Sequence, residues 1–371
     1  MKELVIFCES YSLIRNCLYL ATLNYRKRPI NIVIPGNSEL FKFFGENNEK
    51  FFSSSVNIIY FEAFEGRRTT GNTIAQMVNR TPEIIREKRY LREVYSNYLA
   101  HLKGAEIYFF VRQIAQVSYY FLEKLSKGNR LVYMESEAHV LTADEHPPAS
   151  LMDLVSLMIL KLVYGRELSL IRLGGYPRGA PYIADSFIDR KVDKVIDVEE
   201  GNRMMKDFDL SQFKIFDTSI YSIIYFDDSL IASGLIEDRN VFKRELAGIF
   251  EIVSKYFPEK EIARKYHPRY PKEDKTVIEV GDVLPDFIPA ELLYNENVVV
   301  YLSVASNSII NVEGGAAVSL IDLVTLNSAD IADGLRESLI QRSSSEILFP
   351  QTLDEFEGIL VDLKGQREMK R

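Results

Sequence analysis

The stretch EIARKYHPRYPKED, residues 261–274, gathers Arg264, Lys265, His267 and Arg269 around a proline in a chain of net charge −8. His267 stands where a strand-like run ends, and Pro268 stops that run. An imidazole in such a place can donate a hydrogen bond or a proton to a leaving phosphate oxygen. Lys265 and Arg269 add the positive potential that a phosphate needs. A solvated basic turn carrying an ordinary histidine is the other account of the same residues.

Two further segments bear on that choice. In IPAELL, residues 288–293, Pro289 opens a helical turn and Glu291 lies just inside it, where the helix dipole favours an anion. Glu291 there is either a first-turn charge or an acceptor for a hydroxylated group such as a ribose. Further on, the buried run VVVYLSV leads into Ser303, Ser306, Asn307 and Ser308. If a helix begins after them, its free N–H groups and these side chains form an anion cradle. Ordinary N-capping explains the same residue types.

The elements that must position these groups follow from length and pattern. At 371 residues, with 47% hydrophobic and 26% charged, the chain can bury more than one core. Its acidic balance argues against general nucleic-acid binding, which needs a basic face. Cys8 and Cys17 are its only cysteines, with no CxxC or Cys/His cluster. No structural metal or disulfide framework is therefore expected, and a reducing compartment fits. The first apolar run is short and broken by Glu9, unlike a signal peptide. No run of apolar residues is long enough to span a bilayer; LMDLVSLMILKLVYG is interrupted by Asp153 and Lys161 and suits a buried or interfacial helix.

Short β-branched runs at 4–7, 30–35, 57–63, 106–111 and 130–135 alternate with segments of three-to-four apolar spacing. A second series of strands is expected at 221–227, 263–267, 275–281, 297–304, 316–324 and 346–350. A charged piece at 198–214 reads as the linker. This rhythm predicts an α/β chain of two doubly wound, Rossmann-like domains, 1–205 and 206–371, facing a central cleft with ligands at strand C-terminal ends. The last helical piece, TLDEFEGILVDLKGQ, is expected to pack back on the first domain.

The order strand–HPR, then IPAELL, then strand–SNSIINVEGGAAVSLIDL resembles the C-terminal half of the bacterial lipooligosaccharide sialyltransferase and capsule polysialyltransferase group. The resemblance implies a GT-B glycosyltransferase whose C-terminal domain holds CMP-sialic acid and whose N-terminal domain faces the acceptor. The family's His-Pro motif matches His267 and Pro268. Its paired serine/threonine motif for the donor phosphate falls on Ser306 and Asn307, the second position being Asn here. Its acidic motif, whose second carboxylate acts as base, falls on Met134, Glu135 and Ser136, so one of three positions is kept. A variant of the group places the acid after the first C-terminal strand, where Asp227 and Asp228 stand as the alternative base.

With those parts the chemistry implied is an inverting, metal-independent displacement. Negative charge builds on the phosphate of departing CMP and is met by His267, Lys265, Arg269 and the Ser306–Ser308 segment. Glu135 takes the proton of the acceptor hydroxyl. One phosphate, rather than a pyrophosphate, needs no divalent ion, so no cofactor is expected beyond the CMP-activated donor. ESE at 135–137 has DxD spacing, but its neighbours Ala138 and His139 are not those of a metal site. A related transferase using CMP-Kdo or a CDP-glycerol-type donor fits the same motifs, and so does a non-catalytic nucleotide- or glycan-binding module. The resemblance implies a surface or lipid-linked glycan acceptor and a cytoplasmic protein, with room for peripheral contact at the inner face of the membrane. The basic segment REKRYLREVY could touch anionic headgroups, a solvated helix face being the other account.

Overall fold

In the computed structural model the described residues are 2–52, 56–62, 81–112, 116–136, 151–171, 180–228, 230–231, 234–267, 279–310, 312, 314–343 and 345–370. The chain divides into two compact units, Met1–Phe208 and Asp209–Arg371.

The first unit runs β1 (Leu4–Phe7), α1 (Ile14–Asn24), β2 (Ile30–Pro35), α2 (Ser38–Phe51), β3 (Val56–Phe61), α3 (Thr81–Val94), β4 (Glu106–Phe109), α4 (Gln116–Leu125), β5 (Arg130–Met134), α5 (Leu151–Val163), β6 (Leu168–Ile171), β7 (Ala180–Ile183), α6 (Asp185–Lys191), β8 (Lys194–Ile196) and α7 (Val198–Met204). Six of these strands form one parallel sheet in the order β3-β2-β1-β4-β5-β8. The apolar runs LVIF and INIVIP are buried throughout, as strands covered on both faces must be. Val5, Phe7, Phe109 and Tyr133 meet Leu91 and Phe121 of the helices in one core. Caps start the helices: the Asn37 side chain accepts from the N–H of Leu40 at 2.9 Å at the head of α2. The antiparallel pair β6–β7 stands outside the main sheet and was not anticipated from the sequence.

The second unit runs β9 (Ile223–Phe226), α8 (Arg239–Tyr256), β10 (Ile262–Lys265), β11 (Asp282–Leu284), β12 (Val300–Ser303), β13 (Ala316–Ser319), α9 (Ala329–Arg342), β14 (Ile347–Leu348) and α10 (Leu353–Lys370). Its parallel sheet has the order β11-β10-β9-β12-β13-β14. In both units the first strand sits inside, with later strands added to one side and then the other. Each is therefore a doubly wound, Rossmann-like α/β unit, as expected. In both, the winding reverses next to the first strand, between β1 and β4 and between β9 and β12. Gly314 (φ +98°) turns the chain into β13; a Cβ there would lie 2.7 Å from Glu296 Cα.

Two expectations change, and a third falls largely outside the described residues. The piece at 198–214 is not a plain linker, because it contains α7, capped by Asp197, whose side chain accepts from the N–H of Glu200. The strand expected at 275–281 lies largely outside the described residues; the edge strand found in this region is Asp282–Leu284. The last helix, expected to pack on the first unit, buries Phe356 and Leu360 in the core of the second. Lys364 and Glu357 of α10 bond the carbonyl and hydroxyl of Tyr256, at the end of α8.

Candidate functional site

In an open parallel sheet, ligands bind beyond the strand C-termini where the winding reverses. In the second unit that place is the end of β9, between β10 and β12. Asp227 and Asp228 follow β9, and both sit at this edge; Asp227 is buried. Asp228 Oδ2 accepts from the Ser303 hydroxyl at 3.2 Å and from the N–H of Ala305. One carboxyl thus ties the ends of β9 and β12 across the reversal. Burial, with the charge of Asp227 beside it, pushes the Asp228 carboxyl up to about 7 against the pull of those two donors.

Beyond β12 the chain turns at once. Ser306 donates its N–H to Ser303 Oγ at 2.9 Å, and its own hydroxyl accepts from the N–H of Ser308 at 3.1 Å. The expected helix after this segment is a single 3₁₀ turn, Asn307–Ile309, and Ser306 is its N-cap. The Asn307 side chain accepts from Arg342 Nη1 at 2.9 Å. Sequence reasoning missed Arg342, which comes from the last residue of α9, 35 positions on, by a return of the chain that no local spacing reveals.

On the other side, β10 lies in parallel register with β9, Lys265 opposite Phe226. The Asp227 N–H donates to the Lys265 carbonyl at 2.9 Å, so the pairing runs past the strand ends. His267 follows β10 by two residues, as Asp228 follows β9, so both stand beyond the ends of paired strands. His267 is half-buried. Of the cations expected around it, two lie in β10. Arg264 and Lys265 are buried within β10, on opposite faces by strand alternation, and Lys265 Nζ donates to the Asp286 carbonyl at 3.4 Å. Pro268 and Arg269 lie outside the described residues. Glu291 is half-buried in a 3₁₀ turn, Ala290–Leu292, capped by Pro289, rather than in a longer helix.

In the first unit Glu135 directly follows β5. Its Oε1 lies 3.3 Å from Arg112 Nε and accepts from the Tyr133 hydroxyl at 3.3 Å. Arg112 also holds Asp185 at 2.7 Å. Arg112 follows β4 and Asp185 opens α6, so three elements of the sheet edge fix the Glu135 carboxylate. Tyr133 is fully buried, and burial with the adjacent Glu135 charge raises its phenol well above the ordinary range. Glu137, His139 and His146 are outside the described residues.

Glu9 was not singled out from the sequence, where it reads only as the charge that ends an apolar run. It follows β1 at the reversal between β1 and β4. Its Oε1 is shut from solvent and has no hydrogen-bond partner among the described residues. Burial pushes its carboxyl up to about 8. Among the described residues no cluster of His, Cys, Asp and Glu has the makings of a metal site.

No family model matches the chain, and no curated protein does. Solved structures similar to it include Arabidopsis thaliana UGT89C1 complexed with UDP, at 11% identity over 100% of this chain and 94% of that one, TM-score 0.48. A UDP-glucosyltransferase from Polygonum tinctorium capable of glucosylating indoxyl matches at 12% identity over 99% and 91%, TM-score 0.45. The glycosyltransferase VinC in complex with DTDP matches at 9% identity over 99% and 95%, TM-score 0.43. Similarity at this level does not carry the donors or acceptors of those proteins over to this chain.

Proposed function

We propose that the protein is an inverting glycosyltransferase that takes a sugar from a nucleotide-activated donor, the donor being CMP-sialic acid or a related nonulosonate and the acceptor a surface or lipid-linked glycan. The observation that supports this reading is the hydrogen-bonded run of Asp228, Ser303, Ser306 and Arg342-bound Asn307 at the winding reversal of the second sheet, next to the end of β10, which His267 follows.

In the reaction, the acceptor oxygen attacks the anomeric carbon, and the bond from that carbon to the phosphate oxygen breaks. His267 donates a hydrogen bond or proton to the departing phosphate. Arg342, with Ser306 and Asn307, meets the growing negative charge. Glu135 takes the hydroxyl proton through Oε2, since Oε1 is engaged by Arg112 and Tyr133. A single phosphate is neutralised by these groups without a divalent ion, which predicts activity that survives chelation.

Asp228 remains the alternative base, but its oxygen is spent on two donors between strands. The experiment that tests the function is product analysis after incubation with CMP-sialic acid, UDP- and TDP-sugars and a panel of glycan acceptors. Transfer from the CMP donor supports the reading, and transfer from a UDP- or TDP-sugar alone moves the donor class. Binding of a nucleotide without any transfer or donor hydrolysis leaves a binding module.

A further inference from the structure

We infer that the first unit carries a docking surface for an anionic lipid membrane, built on α5 and α3, independently of the reaction proposed above. Helix α5 has the sequence LMDLVSLMILKLV. Leu154, Met158 and Leu162, spaced four apart and so on one stripe, are 47%, 63% and 71% exposed. Ile85 on the neighbouring α3 is 55% exposed. Large apolar side chains scattered singly over a surface need no explanation, but a row of them on one helix does. The two helices meet here: Lys88 Nζ of α3 donates to the Leu162 carbonyl at 2.9 Å, and the Tyr164 hydroxyl bonds Glu87.

The rim of this stripe is basic. A concavity of about 320 Å³ beside the end of α5 is lined by Lys88, Lys124, Lys127, Lys161 and Arg166, with Glu123 as the acid. Lys124 Nζ rests over the rings of Tyr95 and Tyr120 at 5.1 and 4.9 Å, which holds its charge at this face. Arg86, Arg89 and Arg92 are exposed along α3, which also carries Glu83, Glu87 and Glu93, Glu87 being engaged by Tyr164. This concentration of cations stands in a chain whose net charge is −8.

Charge complementarity chooses the occupant. Apolar side chains rimmed by lysine and arginine are the pattern of a helix that lies in the interface of an anionic bilayer. A second copy docking by twofold symmetry would set one basic rim against another, which is repulsive. At 13 residues α5 is well short of the roughly 20 needed to cross the hydrocarbon core, so it lies on the bilayer rather than through it. Among the described residues no helix is long and apolar enough to span.

The test is co-sedimentation of the purified full chain with phosphatidylcholine vesicles, with and without a quarter of phosphatidylglycerol, at low and high salt. The expected result is binding that requires phosphatidylglycerol and is lost in high salt. Each basic residue near an anionic surface is worth about fivefold in partitioning. The double variant Lys124→Glu, Lys127→Glu should therefore lose at least about tenfold, and Met158→Asp a comparable factor through the apolar term. Circular dichroism checks that both variants fold, and Leu154→Ser, a milder change on the same stripe, stands in if Met158→Asp does not. No binding to either vesicle, equal binding to both, or variants that bind like the wild type would overturn the proposal. So would a dimer in sedimentation velocity, without lipid, that Met158→Asp dissociates.

Discussion

Arg112 Nε lies 3.3 Å from Oε1 of Glu135, and the same guanidinium reaches Asp185 at 2.7 Å through Nη1. The arginine, with the Tyr133 hydroxyl, sets the direction of the carboxylate beyond the end of β5. If Glu135 is the proton acceptor, Glu135→Gln lowers kcat by at least about 10²-fold, the lower end for a general base, with nucleotide affinity intact. Arg112→Gln, which removes the positioning but leaves the base, should lower kcat by less. Asp228→Asn should cost far less than Glu135→Gln. A dead Asp228→Asn beside an active Glu135→Gln would move the base to the second unit.

Asp228 makes stability depend on pH. Its carboxyl stands at about 7 in the folded chain against an ordinary value near 3.8. The folded state therefore holds a proton that the unfolded state has lost between those two values. Stability is fully present below the ordinary value, falls as pH rises through the folded one, and is flat above it. Glu9, pushed up to about 8, acts in the same direction over a slightly higher window. Asp228→Asn and Glu9→Gln should each flatten the fall in chemical-denaturation stability between pH 5 and 8, by an amount on the order of 1 kcal/mol or more. Because a carboxyl at about 8 is largely protonated at neutral pH, Gln mimics it, and Glu9→Gln should stay active there. An unchanged pH slope in both variants contradicts the burial argument, and an inactive Glu9→Gln would make Glu9 the base.

Ser306 has a structural duty whatever else it does, since its hydroxyl caps the N–H of Ser308. Ser306→Ala should cost about 1 kcal/mol of stability as a lost cap. If the hydroxyl also meets phosphate, nucleotide affinity falls by a further 0.5–1.5 kcal/mol or about that, read by calorimetry. Unchanged affinity would confine Ser306 to the cap.

The frame of this protein was legible in its residues because buried parallel strands announce themselves as apolar runs. LVIF and INIVIP coincide with β1 and β2 residue for residue. The same logic fails for short edge elements: β8 and β11 are three residues long and partly exposed, so no apolar run marks them. The docking of α10 was not legible because its long charged sequence has no strong apolar stripe; Phe356 and Leu360, with the partly buried Ile359 and Leu363, seat it on the second core. At the candidate site, residues adjacent to strand ends were found from the sequence, as His267, Glu135 and Asp228 show. Arg112, beside Glu135, and Arg342, bonded to Asn307, were not, because each is brought from another strand or helix by the winding of the sheet. Lys265, read from the sequence as part of a phosphate site, is the last residue of β10 and is buried.

His267→Ala should fold, since the residue follows rather than belongs to β10, and should lose most transfer activity. A general acid or hydrogen-bond donor to a leaving phosphate is worth about 10²–10⁴-fold, so kcat within about twofold of the wild type would remove His267 from the mechanism.

The central claim is that the second unit's winding reversal holds the nucleotide phosphate. Calorimetric titration of the full chain with CMP, CDP, UDP and TDP, for the wild type and Arg342→Gln, tests it most directly. The account predicts that CMP binds in preference to the others. It also predicts that Arg342→Gln weakens CMP by about 1.5–3 kcal/mol, the range for a charge-assisted hydrogen bond. Failure of every nucleotide to bind, or CMP affinity untouched by Arg342→Gln, would contradict it.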